Sequence, residues 1–223
     1  MVICTTPYIL ILFSFLGGEY RSVTEERLLD TIVGCVIAFS ASYFLFPSWE
    51  AGQLKKDMEG IVRANANYLQ KIIEALSGHT INLLDYKLAR KDVYLNSANL
   101  SATFQRMLSE PKSKQGAEKD IHQFVVLNHI LFSNTANLSA AVFSKEKRAY
   151  PQELIIPGRK ALNKLNEVRK KLGDETVTTF PILKTDLPAG QTETPDDRLI
   201  KEQLDFINNL ANDLEKTTKT IIG

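Results

Sequence analysis

Residues 25–50 read EERLLDTIVGCVIAFSASYFLFPSWE, and this stretch decides how the rest of the chain is interpreted. Its apolar run, residues 28–46, contains a single charge, Asp30, close to the start. The run is about as long as the ~20 residues that a helix needs to cross the hydrocarbon core of a bilayer. Pro47 ends the run, and Trp49 follows at the depth where aromatic side chains mark the membrane surface. We therefore expect a transmembrane helix at about 28–46, with a buried helix of a soluble core as the alternative.

Charge divides the chain into two parts. Residues 1–47 carry six charged side chains, which are Glu19, Arg21, Glu25, Glu26, Arg27 and Asp30. The remaining residues, 48–223, hold all but two of the 27 Lys and Arg residues of the chain. Such asymmetry predicts a membrane part at 1–47 followed by a water-exposed domain at 48–223. The formal net charge of +1 gives no support for binding to nucleic acid.

The N-terminal residues supply a second candidate span. Residues 1–16 read MVICTTPYILILFSFL and contain no charged side chain. A secretory signal peptide would need a basic segment first, and no Lys or Arg precedes Arg21. We therefore expect a transmembrane helix at about 1–16, short enough for the chain to begin inside a helix. Residues 17–27 would then connect the two helices of a hairpin.

The orientation of this hairpin follows from the basic residues that flank it. Lys55, Lys56 and Arg63 come soon after the second span, whereas the connection holds Arg21 and Arg27 together with three acids. Basic residues near the ends of spans favour the cytoplasmic side. We therefore expect a multi-pass membrane protein whose C-terminal domain is cytoplasmic and meets the lipid bilayer at its edge.

Residues 48–223 show helical periodicity throughout and no strand pattern. Apolar residues recur at spacings of three and four in five segments, at 48–77, 82–110, 120–143, 158–172 and from Pro195 onward. Gly78 and Gly173 stand where helices end, and residues 174–194 predict a loop. The predicted fold class is all-α: a transmembrane helical hairpin followed by a cytoplasmic antiparallel helical bundle.

No pattern typical of catalysis is present, so we predict that the chain is not an enzyme and binds no cofactor. The sequence lacks a phosphate loop, a zinc spacing and a nucleophile elbow. His122 and His129 share a helix face, but no acid or Cys is placed to complete a metal site. We therefore predict no metal, and we interpret Cys4 and Cys35 as small packing residues.

The stretch at 28–46 also carries a row of small and polar residues. Thr31, Gly34 and Ala38 recur at helical spacing, and such rows let membrane helices approach closely. This predicts partners for the helix, either further transmembrane helices or a homo-oligomer. Asp30 follows Arg27 by one turn, and two interpretations stay open: a helix-start acid paired with Arg27, or a group that lines a substrate route.

The same residues resemble the signature of the fusaric acid resistance (FUSC) family. That pattern is roughly Glu-Arg-x-x-Asp-Thr-x-x-Gly, an apolar run and Pro-x-Trp. It falls here on Glu26, Arg27, Asp30, Thr31, Gly34, Pro47 and Trp49. The later stretch KLARKDVYLNSANLSATFQRMLSEP is similar to YccS-type members of that family.

This resemblance implies an inner-membrane efflux protein for aromatic or other organic acids, and the chain looks like its C-terminal part. Members have blocks of about six membrane helices, each followed by a cytoplasmic helical region. The resemblance implies substrate-binding roles for Arg27, Asp30, Thr31 and Gly34. A second hypothesis is a membrane-anchored cytoplasmic interaction module without transport activity, because the bundle makes up most of the chain.

Overall fold

A computed structural model describes residues 8, 11, 15, 20–44, 51–109, 117–143, 150–174 and 195–222. The chain divides into two compact units, Met1–Ser48 and Trp49–Gly223. The described ranges contain six long helices and no strand. The predicted all-α fold class is therefore confirmed.

The first unit contains one long helix, α1, at Tyr20–Phe44. It begins earlier than expected, because residues 20–27 were predicted to be a connection and instead form its first two turns. No Gly or Pro interrupts those turns, and Glu25, Glu26 and Arg27 favour helix. The first predicted span, at about 1–16, lies outside the described residues except for Tyr8, Ile11 and Phe15, which are helical.

The membrane crossing is not supported by this part of the molecule. Among the residues with a described position, no helix combines the length and the apolar character that crossing a bilayer requires. The predicted transmembrane hairpin therefore stays without structural support.

The second unit contains five helices, as the periodicity predicted. They are α2 at Ala51–Leu76, α3 at Leu83–Leu108, α4 at Glu118–Phe143, α5 at Gln152–Leu172 and α6 at Pro195–Ile222. The predicted helix ends at Gly78 and Gly173 are confirmed, since both glycines have positive φ, 83° and 114°. The Asn82 side chain caps α3 by accepting a hydrogen bond from the Leu84 amide at 3.0 Å. The predicted loop at 174–194 lies outside the described residues beyond Asp174.

Helix α5 begins about two turns before its predicted start at 158. Pro157 lies inside the helix, where a missing N–H and a bulky ring normally cost stability. Leu154 and Ile155 precede it and are buried, with 5% and 0% of their surface exposed. Burial of these two side chains against the bundle offsets the penalty at Pro157. The periodicity of the sequence does not show this burial, so the prediction placed the start of α5 too late.

The predicted antiparallel bundle is wrong for one pair of helices. Gly158 lies beside Leu204, and Lys171, further along α5, reaches Glu215, further along α6. Residue numbers therefore increase together, and α5 and α6 run parallel. The prediction assumed short loops, whereas the sequence between the end of α5 at Leu172 and the start of α6 at Pro195 is longer than the short loops that join antiparallel neighbours.

Helices α2, α3 and α4 alternate in direction along the chain. Tyr86 of α3 contacts Phe143 near the end of α4, and Phe104 contacts His122 near its start. The core lies between the five helices and contains fully buried side chains from each. Its members include Met58, Ile61, Leu69, Val93, Leu100, Phe124, Leu131, Leu138, Leu162, Leu165, Leu204 and Leu214.

Candidate functional site

The four residues predicted to bind substrate lie on one face of α1. Arg27, Asp30, Thr31 and Gly34 are spaced by three, one and three residues, so they form a row along the helix. All four are exposed within their unit. The structure therefore brings the predicted residues together, and whether they bind a substrate stays a prediction.

Two members of the row have a defined local geometry. The Thr31 hydroxyl donates a hydrogen bond to the Arg27 backbone carbonyl at 2.7 Å. This bond uses the hydroxyl hydrogen and leaves the oxygen lone pairs available to accept. A Cβ placed at Gly34 would meet no atom within 4 Å, so nothing in the described part of the chain packs against this glycine. The row therefore lies open beside Gly34.

The charged members of the row do not pair with each other. Among the described residues, no ion pair joins the Arg27 guanidinium to the Asp30 carboxylate. One of the two interpretations of Asp30, a helix-start acid paired with Arg27, is therefore not observed. The guanidinium offers a planar set of donors that suits a carboxylate or phosphate ligand.

Between Leu28 and Phe39, α1 also exposes apolar side chains outside the row. Ile32, Val36, Ile37 and Phe39 have between 51% and 73% of their surface exposed. Contiguous exposed apolar surface of this kind marks contact with protein or with membrane. The polar row therefore lies beside apolar surface that the described residues of its unit leave uncovered.

The bundle contains a second group of polar residues, buried where α2, α3 and α4 meet. The hydroxyl of Ser139 lies 3.0 Å from that of Tyr68 and 3.0 Å from that of Tyr86. Tyr68 is fully buried, and this burial raises the pKa of its phenol well above the usual range. The three hydroxyls thus form a neutral hydrogen-bonded cluster linking three helices.

An amide pair lies deeper along the same helices. The Asn65 side-chain amide donates to the Asn128 carbonyl oxygen at 3.1 Å, and the Asn128 amide donates to the Phe124 backbone carbonyl at 2.9 Å. Both side chains are 2% exposed. The Asn65 Oδ1 atom accepts no hydrogen bond from the described residues. Buried polar pairs of this kind fix the register of packed helices at some cost in stability.

A buried carboxylate ties α5 to α6. The Glu215 carboxylate accepts from Lys171 at 2.7 Å, from Lys219 at 2.8 Å and from Lys164 at 3.1 Å. These three ammonium groups, Lys171 and Lys219 above all, lower the pKa of Glu215 to about 2. Sequence reasoning missed this cluster because its members come from two helices far apart in the chain.

Replacing Glu215 removes a stabilising contribution that depends on pH. Since the folded pKa is depressed, the contribution is present above the unfolded value near 4.5 and is lost as pH falls toward 2. We expect Glu215→Gln to lower the free energy of unfolding by about 1–2 kcal/mol at pH 7, discounting for the exposed lysines. Urea unfolding at several pH values measures this, and the difference between variant and parent should shrink below pH 4.5.

The matched control for this variant is Asp213→Asn on the same helix. Asp213 pairs with Lys216, and both side chains are more than half exposed. Such surface pairs contribute only about 0–1 kcal/mol. If the two substitutions lower the free energy of unfolding equally at every pH, the Glu215 carboxylate does not make the pH-dependent contribution assigned to it.

No cluster for a metal ion is evident in the described ranges, where no three His, Cys, Asp or Glu side chains converge. His122 is exposed and packs on the Phe104 ring at a centroid distance of 5.7 Å, and His129 is also exposed. The structure therefore gives these histidines surface positions on α4.

Comparison with known proteins gives several relatives. The chain is 30% identical to the inner membrane protein YccS of Escherichia coli K12 over 149 residues, which is 67% of this chain and 20% of YccS. It is 31% identical over 135 residues to an uncharacterized protein of Haemophilus influenzae, 60% of this chain and 19% of that protein. The uncharacterized protein YhfK of E. coli K12 is 26% identical over 152 residues, 67% of this chain and 20% of YhfK.

The extent of these matches limits what they establish. The chain spans about a fifth of the length of these relatives. No family model matches the chain, so the FUSC assignment itself is not confirmed. No solved structure matches it either. Over about two thirds of its own length, the chain is thus similar to the YccS inner membrane protein.

Proposed function

We propose that the chain is the C-terminal part of a FUSC-like, multi-pass inner-membrane protein that exports organic acids, aromatic acids among them. In this proposal the unit Met1–Ser48 belongs to the membrane domain and the bundle lies in the cytoplasm. The single observation that carries the proposal is the surface of α1, where exposed apolar side chains between Leu28 and Phe39 flank the polar row. Similarity to a protein named for the inner membrane supports the location.

The row supplies the chemistry that an anionic substrate needs. Arg27 attracts the carboxylate and holds it through charge-assisted hydrogen bonds. Asp30, one turn further, orients the substrate or carries a proton, and ionisable groups at membrane depth commonly do so. Where the substrate carries a hydroxyl or a protonated carboxyl group, Thr31 accepts its hydrogen bond, and Gly34 leaves room for the substrate. Neighbouring membrane helices, from the same protein or from a second copy, complete the route.

Tolerance to aromatic acids tests this proposal in cells. We expect a strain without the full-length protein to grow poorly in an aromatic carboxylic acid, and the Arg27→Ala variant to restore growth poorly. Glu25→Gln is the matched control, because Glu25 is exposed on the opposite face of α1. If cells with the Arg27→Ala variant, present at normal abundance, tolerate the aromatic acid as well as the parent strain does, Arg27 does not bind the substrate.

A second candidate function is a membrane-anchored interaction module. It is favoured by α3, on which Leu84, Leu88 and Leu95 are between 53% and 61% exposed. In this case transport plays no part, and loss of the protein leaves tolerance to aromatic acids unchanged. The growth experiment therefore separates the two functions.

A further inference from the structure

Helix α3 carries an exposed apolar face that no other described helix covers. Leu84, Leu88 and Leu95, which we call the leucine stripe, are 61%, 53% and 53% exposed. The opposite side of α3 holds Val93 and Leu100, which are buried in the core. Helix α3 therefore has two apolar sides: one is packed in the bundle, and the other faces outward.

The leucine stripe follows a heptad repeat. If Leu88 and Leu95 occupy position a, Leu84 occupies position d, and the small residues Ala98 and Ala102 continue the d and a series. Lys91 takes the remaining d position, where its aliphatic stem can cover the leucines while the ammonium group reaches outward. In a parallel pair Lys91 faces Lys91 of the other copy, and a charged residue in the seam restricts partner number and register at a cost in stability.

The charges beside the stripe complement each other. In the same repeat Lys87 is at position g and Asp92 at position e, five residues later, and both are exposed. In a parallel pair of helices, position g of one helix faces position e of the next heptad in the other. Lys87 of each copy would thus meet Asp92 of its partner, twice by symmetry. In an antiparallel pair, like charges would face each other instead.

We propose that α3 is a dimerisation helix, and that its leucine stripe packs in parallel against the same stripe of a second copy of this chain. A groove of ≈ 610 Å³ runs beside the stripe, lined on the α2 side by Asn67, Gln70 and Lys71. One side of the partner's α3 packs into this groove. The contact involves one helix from each copy, and small interfaces of this kind bind weakly and reversibly.

A second copy fits this face better than other partners. An anionic membrane surface would meet Asp85 and Asp92 as well as the basic residues, so its attraction would be partly cancelled. An acidic amphipathic segment would pair with Lys87 and Lys91 but leave Asp92 facing a like charge. A parallel copy of α3 pairs both Lys87 and Asp92. The inference does not depend on the proposed transport activity.

Disulfide cross-linking, with an added oxidant, in membranes prepared from cells that express the full chain tests the arrangement. The native thiols are first removed by Cys4→Ser and Cys35→Ser, and Leu84→Cys, Leu88→Cys and Leu95→Cys are then made singly. In a parallel pair each position faces its own copy, so each variant should give an oxidised band at twice 25.1 kDa. Arg90→Cys is the control, because Arg90 is exposed on the same helix but lies off the stripe.

Charge reversal supplies a second readout that leaves the leucines in place. Lys87→Asp should reduce the dimer fraction about threefold, since it replaces two attractive contacts with repulsive ones. The double variant Lys87→Asp/Asp92→Lys should restore the dimer fraction. Circular dichroism checks that these exposed substitutions leave the bundle folded.

Three results would overturn the proposal. The first is the absence of a dimer band for the three stripe variants in a folded chain. The second is a band that forms only when Leu84→Cys and Leu95→Cys chains are mixed, which would mean an antiparallel pair. The third is cross-linking only to proteins of other masses, which would mean that a different partner covers the stripe.

Discussion

The substitution Asn128→Leu is expected to destabilise the bundle by about 2–3 kcal/mol, since an unsatisfied buried polar group costs about 1–3 kcal/mol. The leucine has the same number of side-chain heavy atoms and the same branching as asparagine, so the change is mainly one of polarity. It removes the acceptor for the Asn65 amide, whose own Oδ1 atom already has no partner among the described residues. Both polar atoms of Asn65 would then be buried and unpaired. The shift in the midpoint of urea unfolding of the purified chain measures the loss.

The double variant Asn65→Leu/Asn128→Leu is the control that separates polarity from packing. Replacing both partners of a buried pair removes the desolvation penalty together with the bond. We therefore expect the double variant to recover most of the stability that Asn128→Leu loses. If the double variant is less stable than the single one, packing and not the amide pair explains the effect.

The substitution Gly158→Leu is expected to cost about 3 kcal/mol, at the upper end for overpacking a well-filled core. Gly158 lies where α2, α5 and α6 meet, and a Cβ there would be 2.9 Å from Leu204 Cδ2 and 3.4 Å from Ile73 Cγ1. The further atoms of leucine have no space between the three helices. Thermal unfolding followed by circular dichroism should therefore show a clearly lower Tm.

Gly158→Ala is the matched variant at this position. Its single methyl group meets the flexible end of Leu204, which can shift, and alanine gains about 1 kcal/mol in helix propensity over glycine. We expect a change close to zero. Equal losses for the alanine and leucine variants would contradict the description of Gly158 as a close-packed junction.

Periodicity is the part of the fold that could be predicted from the sequence. The apolar positions of the periodic segment that begins at Pro195 are buried as the periodicity predicted, among them Ile200, Leu204, Ile207 and Leu214. Gly173 was recognisable because a glycine after a run of Arg and Lys is typical of a helix end. These signals are local, since each depends on residues within a few turns of one another.

Contacts between distant parts of the chain could not be predicted in the same way. Nothing in the sequence near Glu215 indicates that Lys164 and Lys171 reach it, since that depends on α5 and α6 running parallel. Pro157 disfavours a helix at this position, but the burial of Ile155 stabilises the helix by more than the proline costs. Tertiary packing decided each of these features.

The candidate site on α1 was predictable in its spacing but not in its interactions. The row from Arg27 to Gly34 follows from helix geometry, and the structure places it on one face. The alternative in which Arg27 pairs with Asp30 also satisfied that spacing, and the observed side chains do not form it. Spacing permits a contact, and side-chain conformation decides whether it exists.

Efflux of an aromatic carboxylic acid tests the central claim most directly. Cells lacking the full-length protein are loaded with labelled benzoate, and its initial rate of exit is compared for the parent protein, Arg27→Ala and Glu25→Gln at equal abundance. Loss of one charge-assisted contact, worth about 1.5–3 kcal/mol, should slow exit about tenfold with Arg27→Ala and leave Glu25→Gln unchanged. Equal rates for all three, or no change when the protein is absent, would contradict export through the Arg27 row.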